Sequence, residues 1–184
     1  MSKKIIGFVG QAGSGKGTAA NSLRLKFGAT VFAYGDILHD ILTRLYLSPS
    51  RDNLIKLSGA LRQTFGQDIL ANAMEKQVEN SRAELIVVDG IRRIEDVKDL
   101  RQNPDFHLVE IAASPEIRFE RLKQRTEKPG EMAMTWEDFL AMSQRETEVT
   151  IAAVAKGAEK SLSNESGLEE LDKHLETLIE SYNK

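Results

Sequence analysis

The chain has 184 residues, 41% of them apolar, which is enough for a full hydrophobic core and ordinary for a soluble globular protein. Its net charge is only -3, with acidic and basic residues mixed along the chain; this excludes a basic stripe for nucleic acid and leaves any functional arginine to act locally. The absence of cysteine excludes disulfides, thiolate metal sites and thiol nucleophiles, is compatible with a cytoplasmic setting, and leaves oxygen ligands for any metal.

In chain order, the apolar cluster Ile5 to Val9 is far shorter than a signal-peptide core or a membrane span and reads as a strand, so no membrane partner is expected. Further strand-like segments occur at Thr30 to Phe32, Glu84 to Val88 and His107 to Ala112, with a weaker one near Lys160 to Leu162. Each of the first four is followed by a longer stretch with helical spacing, which is the α/β pattern. Leu85-Ile86-Val87-Val88 lacks in-out alternation, so the sheet is expected to be parallel and covered by helices on both faces. The expected fold is therefore an α/β three-layer sandwich with about five parallel strands.

Helix ends are also marked. Gly28 follows the first helical stretch, Gly66 follows the apolar series Leu54, Leu57, Leu61 and Phe65, and Ser114-Pro115 opens another helix as N-cap and N1. Thr135 to Asp138 carries a capping signal, and Gly167 precedes an amphipathic last helix with Leu168, Leu171, Leu175 and Leu178. Between two helices, Thr126 to Met134 is the least core-like stretch and is expected to be an exposed loop with the character of a lid.

The chemistry is concentrated in Gly10-Gln11-Ala12-Gly13-Ser14-Gly15-Lys16-Gly17-Thr18, which follows the first strand directly and runs into a helix. Glycines let such a loop curl until successive backbone N-H groups point at phosphate oxygens, while the helix N-terminus adds partial positive charge. Lys16 supplies a point charge for the β and γ phosphates. The hydroxyl expected immediately after the lysine is missing: Gly17 stands there and Thr18 comes one place later.

With Gly17, the loop resembles that of the nucleoside monophosphate kinases, adenylate kinase most familiarly. The resemblance implies a P-loop fold spanning 1-184, with acceptor-binding helices over about 36-80 and a short lid over about 125-145. It implies ATP and Mg²⁺ as cofactors, a small-molecule acceptor, and a metal held largely through water at Thr18 and Asp89. Tyr34-Gly35-Asp36-Ile37-Leu38 resembles the opening of that family's acceptor-binding helices. Asp36 then has two readings, a residue beside the acceptor or a helix N-cap. Val87-Val88-Asp89-Gly90-Ile91-Arg92-Arg93 resembles the strand that ends in the family's acceptor-phosphate arginine; here either Arg92 or Arg93 can serve.

Arg62 lies beside an apolar helical face, where it can reach an acceptor phosphate or be a solvated helix arginine. The segment from Arg51 to Asp89 is also similar to adenylate kinase-related proteins near the dephospho-coenzyme A kinases. Glu120 to Arg125 resembles the helix leading to the lid, in which Arg121 would pack on the ATP base and Arg125 would touch phosphate. A solvated basic face is the alternative for both, and is the expectation for Arg118 and Lys123. Arg145 is read as a returning lid arginine, Asn164 to Gly167 as the segment passing the base, and His39, His107, His174 and Trp136 as structural.

The function expected is phosphoryl transfer from ATP to a nucleoside monophosphate. Lys16, Arg92 or Arg93, Arg121 and Arg125 would hold phosphates, and Asp89 with Thr18 would organise Mg²⁺. Two rivals stand beside it. One is a kinase for a hydroxyl acceptor such as dephospho-coenzyme A, with Asp36 as base; the other is a nucleotide-dependent ATPase or switch.

Overall fold

The structure is a computed structural model that describes residues 3–124 and 132–182, with the backbone alone at 51, 146 and 147. Five strands, β1 (Lys4–Val9), β2 (Thr30–Ala33), β3 (Leu85–Asp89), β4 (Phe106–Ala112) and β5 (Lys160–Ser163), form one sheet in the order β2-β3-β1-β4-β5. Every pairing is parallel, with Ile5 opposite Ile86 on one side and Phe106 on the other. The expected strands are present, each within a residue or two of its expected limits.

The helices described are α1 (Lys16–Phe27), α2 (Tyr34–Arg44), α3 (Arg51–Phe65), α4 (Ile69–Asn80), α5 (Glu95–Lys98), α6 (Pro115–Lys123), α7 (Trp136–Ser143), α8 (Glu146–Ala155) and α9 (Leu168–Tyr182). They cover both sheet faces, as continuous apolar strands require. Ile5 and Val9 of β1, Ile86 and Val88 of β3, and Phe106 and Leu108 of β4 pack with Met74, Val78, Ile151 and Val154 on one face. Ile6, Phe8, Val87, Val109 and Ile111 pack on the other with Leu23 of α1 and Leu171, Leu175 and Leu178 of α9. A third, smaller cluster joins Leu122 of α6 to Phe139 and Met142 of α7, with Phe119, Trp136 and Ala12 against it.

Local signals act largely as read. Gly28 closes α1 in the left-handed region, Gly66 closes α3, and Thr135 forms a reciprocal capping box with Asp138. Two details differ. Phe65, the last residue of α3, is exposed, while Leu54, Leu57 and Leu61 pack on the core. Ser114 makes no cap bond; its N-H and hydroxyl donate to the Glu165 carboxylate at 2.7 and 2.9 Å, pinning the start of α6 to the segment after β5. The lid candidate from Thr126 to Met134 lies mostly outside the described residues.

This topology fixes where a ligand can go. The connection after β1 runs past β3 to β2 on one side, the connection after β3 crosses β1 to β4 on the other, and in open α/β sheets the crevice at the carboxyl ends of strands where the direction switches is the binding place. The loops after β1, β3, β4 and β5 all converge there.

Candidate phosphate-binding site

Gly10 to Gly15 connect β1 to α1 with no room for side chains at the critical points. A Cβ on Gly10 would stand 2.3 Å from the Ile111 carbonyl oxygen, and one on Gly15 would stand 2.1 Å from Asn164 Nδ2 at a φ of 100°. The loop is thus wedged between β4 and the segment after β5, and only glycine lets the backbone come that close. The Lys16 ammonium folds back to donate to the Gly10 and Gln11 carbonyls at 2.5 and 3.2 Å, so its charge sits at the mouth of the loop.

On one side of the loop, Gly13, Gly15, Thr18, Arg121, Asn164, Gly167, Leu168 and Leu171 line a cavity of about 310 Å³. Asn164, almost fully buried, ties this wall together: its amide nitrogen donates to the Ser14 carbonyl at 2.8 Å and its oxygen accepts from Arg121 Nη2 at 3.3 Å. The other terminal nitrogen of Arg121, Nη1, is buried without a hydrogen-bond partner. A guanidinium held by one edge beside an apolar wall presents a planar cationic face to whatever fills the cavity. Arg121 and Thr18 are therefore brought to the same pocket as the loop, together with the Asn164–Gly167 segment.

On the opposite side, β3 ends at Asp89, whose carboxylate accepts from the Gly90 N-H at 2.7 Å. The next residues are held by a buried node, Asp96, which accepts from the Arg92 and Arg93 backbone N-H groups at 2.9 and 3.0 Å and pairs with Arg62 Nη2 at 3.3 Å. Tyr34 donates its hydroxyl to the Asp96 carbonyl, and burial pushes that phenol well above its ordinary range. Arg62 also donates to the Gln67 carbonyl at 2.5 Å. Its guanidinium is thus engaged inside the protein, behind Arg92 and Arg93. Of the two, Arg92 is exposed, while Arg93 is half-buried with Nη1 3.4 Å from Gln67 Oε1. Asp36 is exposed in the first turn of α2, where Ala33 is the N-cap residue and Asp36 makes no cap bond.

Two residues gain an importance that sequence reading did not give them. Arg118, expected on a solvated basic face, is 5% exposed. Its guanidinium lies 5.3 Å over the Phe139 ring, with Nη1 3.5 Å from the Ala12 carbonyl and Nε unpartnered. Burial pulls its pKa below the ordinary value, against which Glu148 is the largest opposing charge. Glu148 itself, on the first half of α8, accepts the Ala12 backbone N-H at 3.1 Å. The spacing of Arg118 three residues before Arg121 places both on one side of α6 and is the only sequence signal for this; nothing local marks Glu148. Lys123 stays outside, over the Phe119 ring, Arg145 is exposed at the N-cap of α8, and Arg125 lies outside the described residues. Of the residues read as structural, Trp136 packs on Phe139, His107 stacks on Tyr182, and His174 meets the Ser163 carbonyl.

A family model described as an AAA domain matches residues 9–139. A UPF0200 protein from Methanoculleus marisnigri is 32% identical over 177 residues, covering 96% of this chain and 95% of its own. Another from Hyperthermus butylicus is 30% identical over 175 residues, covering 95% and 92%. Among solved structures, a shikimate kinase from Bacteroides thetaiotaomicron superposes with a TM-score of 0.68 over 98% of this chain and 99% of its own, at 14% identity. That likeness concerns the fold, which is the kinase-like P-loop arrangement of a parallel sheet between helical layers.

Proposed function

The chain belongs to the AAA-domain family and to the UPF0200 proteins, and from that premise we propose that it transfers the terminal phosphate of ATP to a nucleoside monophosphate. The observation that carries this reading is the division of the crevice by the loop. A base-sized cavity walled by Arg121 and Asn164 lies on one side, and the exit of β3 with Arg92 and Arg93 lies on the other. A donor seated with its base by Arg121 has its phosphates over the loop, pointing at those arginines.

In this reading the loop N-H groups and the N-terminus of α1 hold the donor phosphates. Lys16 exchanges the Gly10 and Gln11 carbonyls for phosphate oxygens. Arg93, steadied by Gln67 and the Asp96 node, binds the acceptor phosphate with Arg92 beside it, and Arg125 meets charge on the group in transfer. A phosphate acceptor is already anionic, so no general base is needed; alignment and charge stabilisation suffice.

Magnesium fits the donor set in one particular way. Among the described residues no three acidic or histidine side chains converge on a metal. In this reading Asp89 and Thr18 would hold it, a hard-oxygen pair suited to an ion that keeps its waters. The ion would supply charge neutralisation to the phosphates of the donor.

One observation favours a second reading. Asp36 caps nothing and is exposed at the start of α2, so its carboxylate is spare to act as base toward a hydroxyl acceptor. A single assay separates the readings: ADP release with ATP and Mg²⁺ across a panel of nucleoside monophosphates and dephospho-coenzyme A. Stimulation by a monophosphate, unaffected by Asp36→Asn, is the expected result. Stimulation by the hydroxyl compound alone, abolished in Asp36→Asn, supports the second reading, and slow hydrolysis indifferent to every acceptor supports a switch.

A further inference from the structure

Ala12 is held from three directions. Its N-H donates to Glu148 Oε2 at 3.1 Å, its carbonyl faces Arg118 Nη1 at 3.5 Å, and its methyl packs against the cluster of Leu122, Phe139 and Met142. A backbone N-H with a buried guanidinium close by attracts an anion, and here one is already bound: the Glu148 carboxylate takes the N-H, while Arg118, whose Nη1 faces the Ala12 carbonyl, attracts it as a nearby charge. The location identifies which natural anion competes. The base cavity opens at Gly13, Gly15 and Thr18, so the part of a nucleotide farthest from its base lies toward the start of the loop, where Ala12 and the Lys16 ammonium are.

We propose that Glu148 is a terminal-phosphate sensor: its carboxylate occupies the Ala12 N-H, near the Arg118 charge, until the γ-phosphate of ATP displaces it, which frees the first turn of α8. The proposal rests on reading Gly10 to Thr18 as the ATP cradle. It makes the empty and the ATP-bound loops two states of one exchange, an internal carboxylate for an external phosphate oxygen. Because α8 follows α7 after only Gln144 and Arg145, and α7 carries the cluster that grips Ala12, the exchange reaches the α6–α7 side without any further device. ADP, lacking the third phosphate, leaves the carboxylate in place. Binding is therefore selective for the triphosphate through the removal of a competitor as well as through direct contact.

The test uses the full chain and its single tryptophan, Trp136, stacked 5.2 Å from Phe139, as the reporter of ATP and ADP titrations. In Glu148→Gln and Glu148→Ala, the Kd for ATP should fall about three- to tenfold, the effect of one net hydrogen bond on an equilibrium, while the Kd for ADP changes less than about twofold. Hydrogen exchange across residues 146–155 should rise in the unmodified chain on adding ATP but not ADP, and be raised already in Glu148→Ala, which lacks the acceptor for the Ala12 N-H, without nucleotide. Unchanged or weakened ATP binding in a variant that melts like the parent would overturn the proposal, as would equal tightening for ADP. If ATP binds but no acceptor stimulates ADP release, the nucleotide-acceptor reading fails while the Glu148 comparison stands on its own.

Discussion

Arg62 and Asp96 illustrate at the scale of single residues how a charge can serve a site without touching it. Both are nearly buried, and the Asp96 carboxylate spends its second oxygen on the backbone of Arg92 and Arg93. Removing Arg62 leaves the buried carboxylate its backbone N-H donors but takes away the cation paired with it, so Arg62→Ala should lose about 3–5 kcal/mol in urea unfolding at neutral pH. Lys16→Ala, by contrast, should keep the melting temperature within a few degrees and abolish detectable ATP binding by the same fluorescence titration, because the loop carbonyls to which the ammonium donates can be satisfied by water. Lys16 was legible from its neighbours in sequence; Arg62, Arg118 and Glu148 were not. Their partners Asp96 and Ala12 come from distant parts of the chain, and no local pattern tells a helix arginine facing solvent from one facing a carboxylate on another element.

Elements carry their own tests. The capping box of α7 is complete, with Thr135 Oγ1 accepting the Asp138 N-H at 3.2 Å and Asp138 accepting the Thr135 N-H at 3.0 Å. Thr135→Ala should cost about 1 kcal/mol in thermal or chemical unfolding. Gly17 on α1 is the opposite of Gly10: a Cβ there meets nothing within 4 Å. Gly17→Ala should leave stability unchanged or raise it by up to about 1 kcal/mol, since alanine is the better helix residue. If it also weakens ATP binding, the glycine is there for the close approach of phosphate; unchanged affinity would refute that role. The strands were readable because each is a short apolar run bounded by turn residues. The ends of α1, α3 and α7 were readable because their caps are local; Ser114 and Pro115 open α6 at the positions read for them, but the hydroxyl partner of Ser114, Glu165, lies beyond β5 and carries no local signal.

For the whole molecule, the sheet order explains why so much chemistry collects on one edge of the crevice, and the opposite end of the sheet has a titration of its own. There His107 stacks on Tyr182 at 3.9 Å and bonds Glu159 at 2.9 Å, with Lys160 over the phenol ring. Burial first, then the Glu159 charge, pushes the Tyr182 hydroxyl up from its ordinary 10.0 to about 12. A group whose pKa is raised on folding contributes stability below its unfolded value and loses it as pH climbs toward the folded one. The unfolding free energy should therefore decline between about pH 10 and about 12, and Tyr182→Phe should flatten part of that decline; Tyr34, shifted in the same direction, adds to it. Denaturant melts across that range, with the variant alongside, would measure it.

The central place of β1 has one further consequence. Its hydrogen-bonding edges belong to Leu85–Val88 on one side and Phe106–Glu110 on the other, so the strand that leads into the Gly10–Gly15 loop is closed only by partners far along the chain. Long-range parallel pairing of this kind is slow. The loop is therefore expected to take its shape late in folding, once both neighbouring strands have docked against the apolar Ile5–Val9 segment.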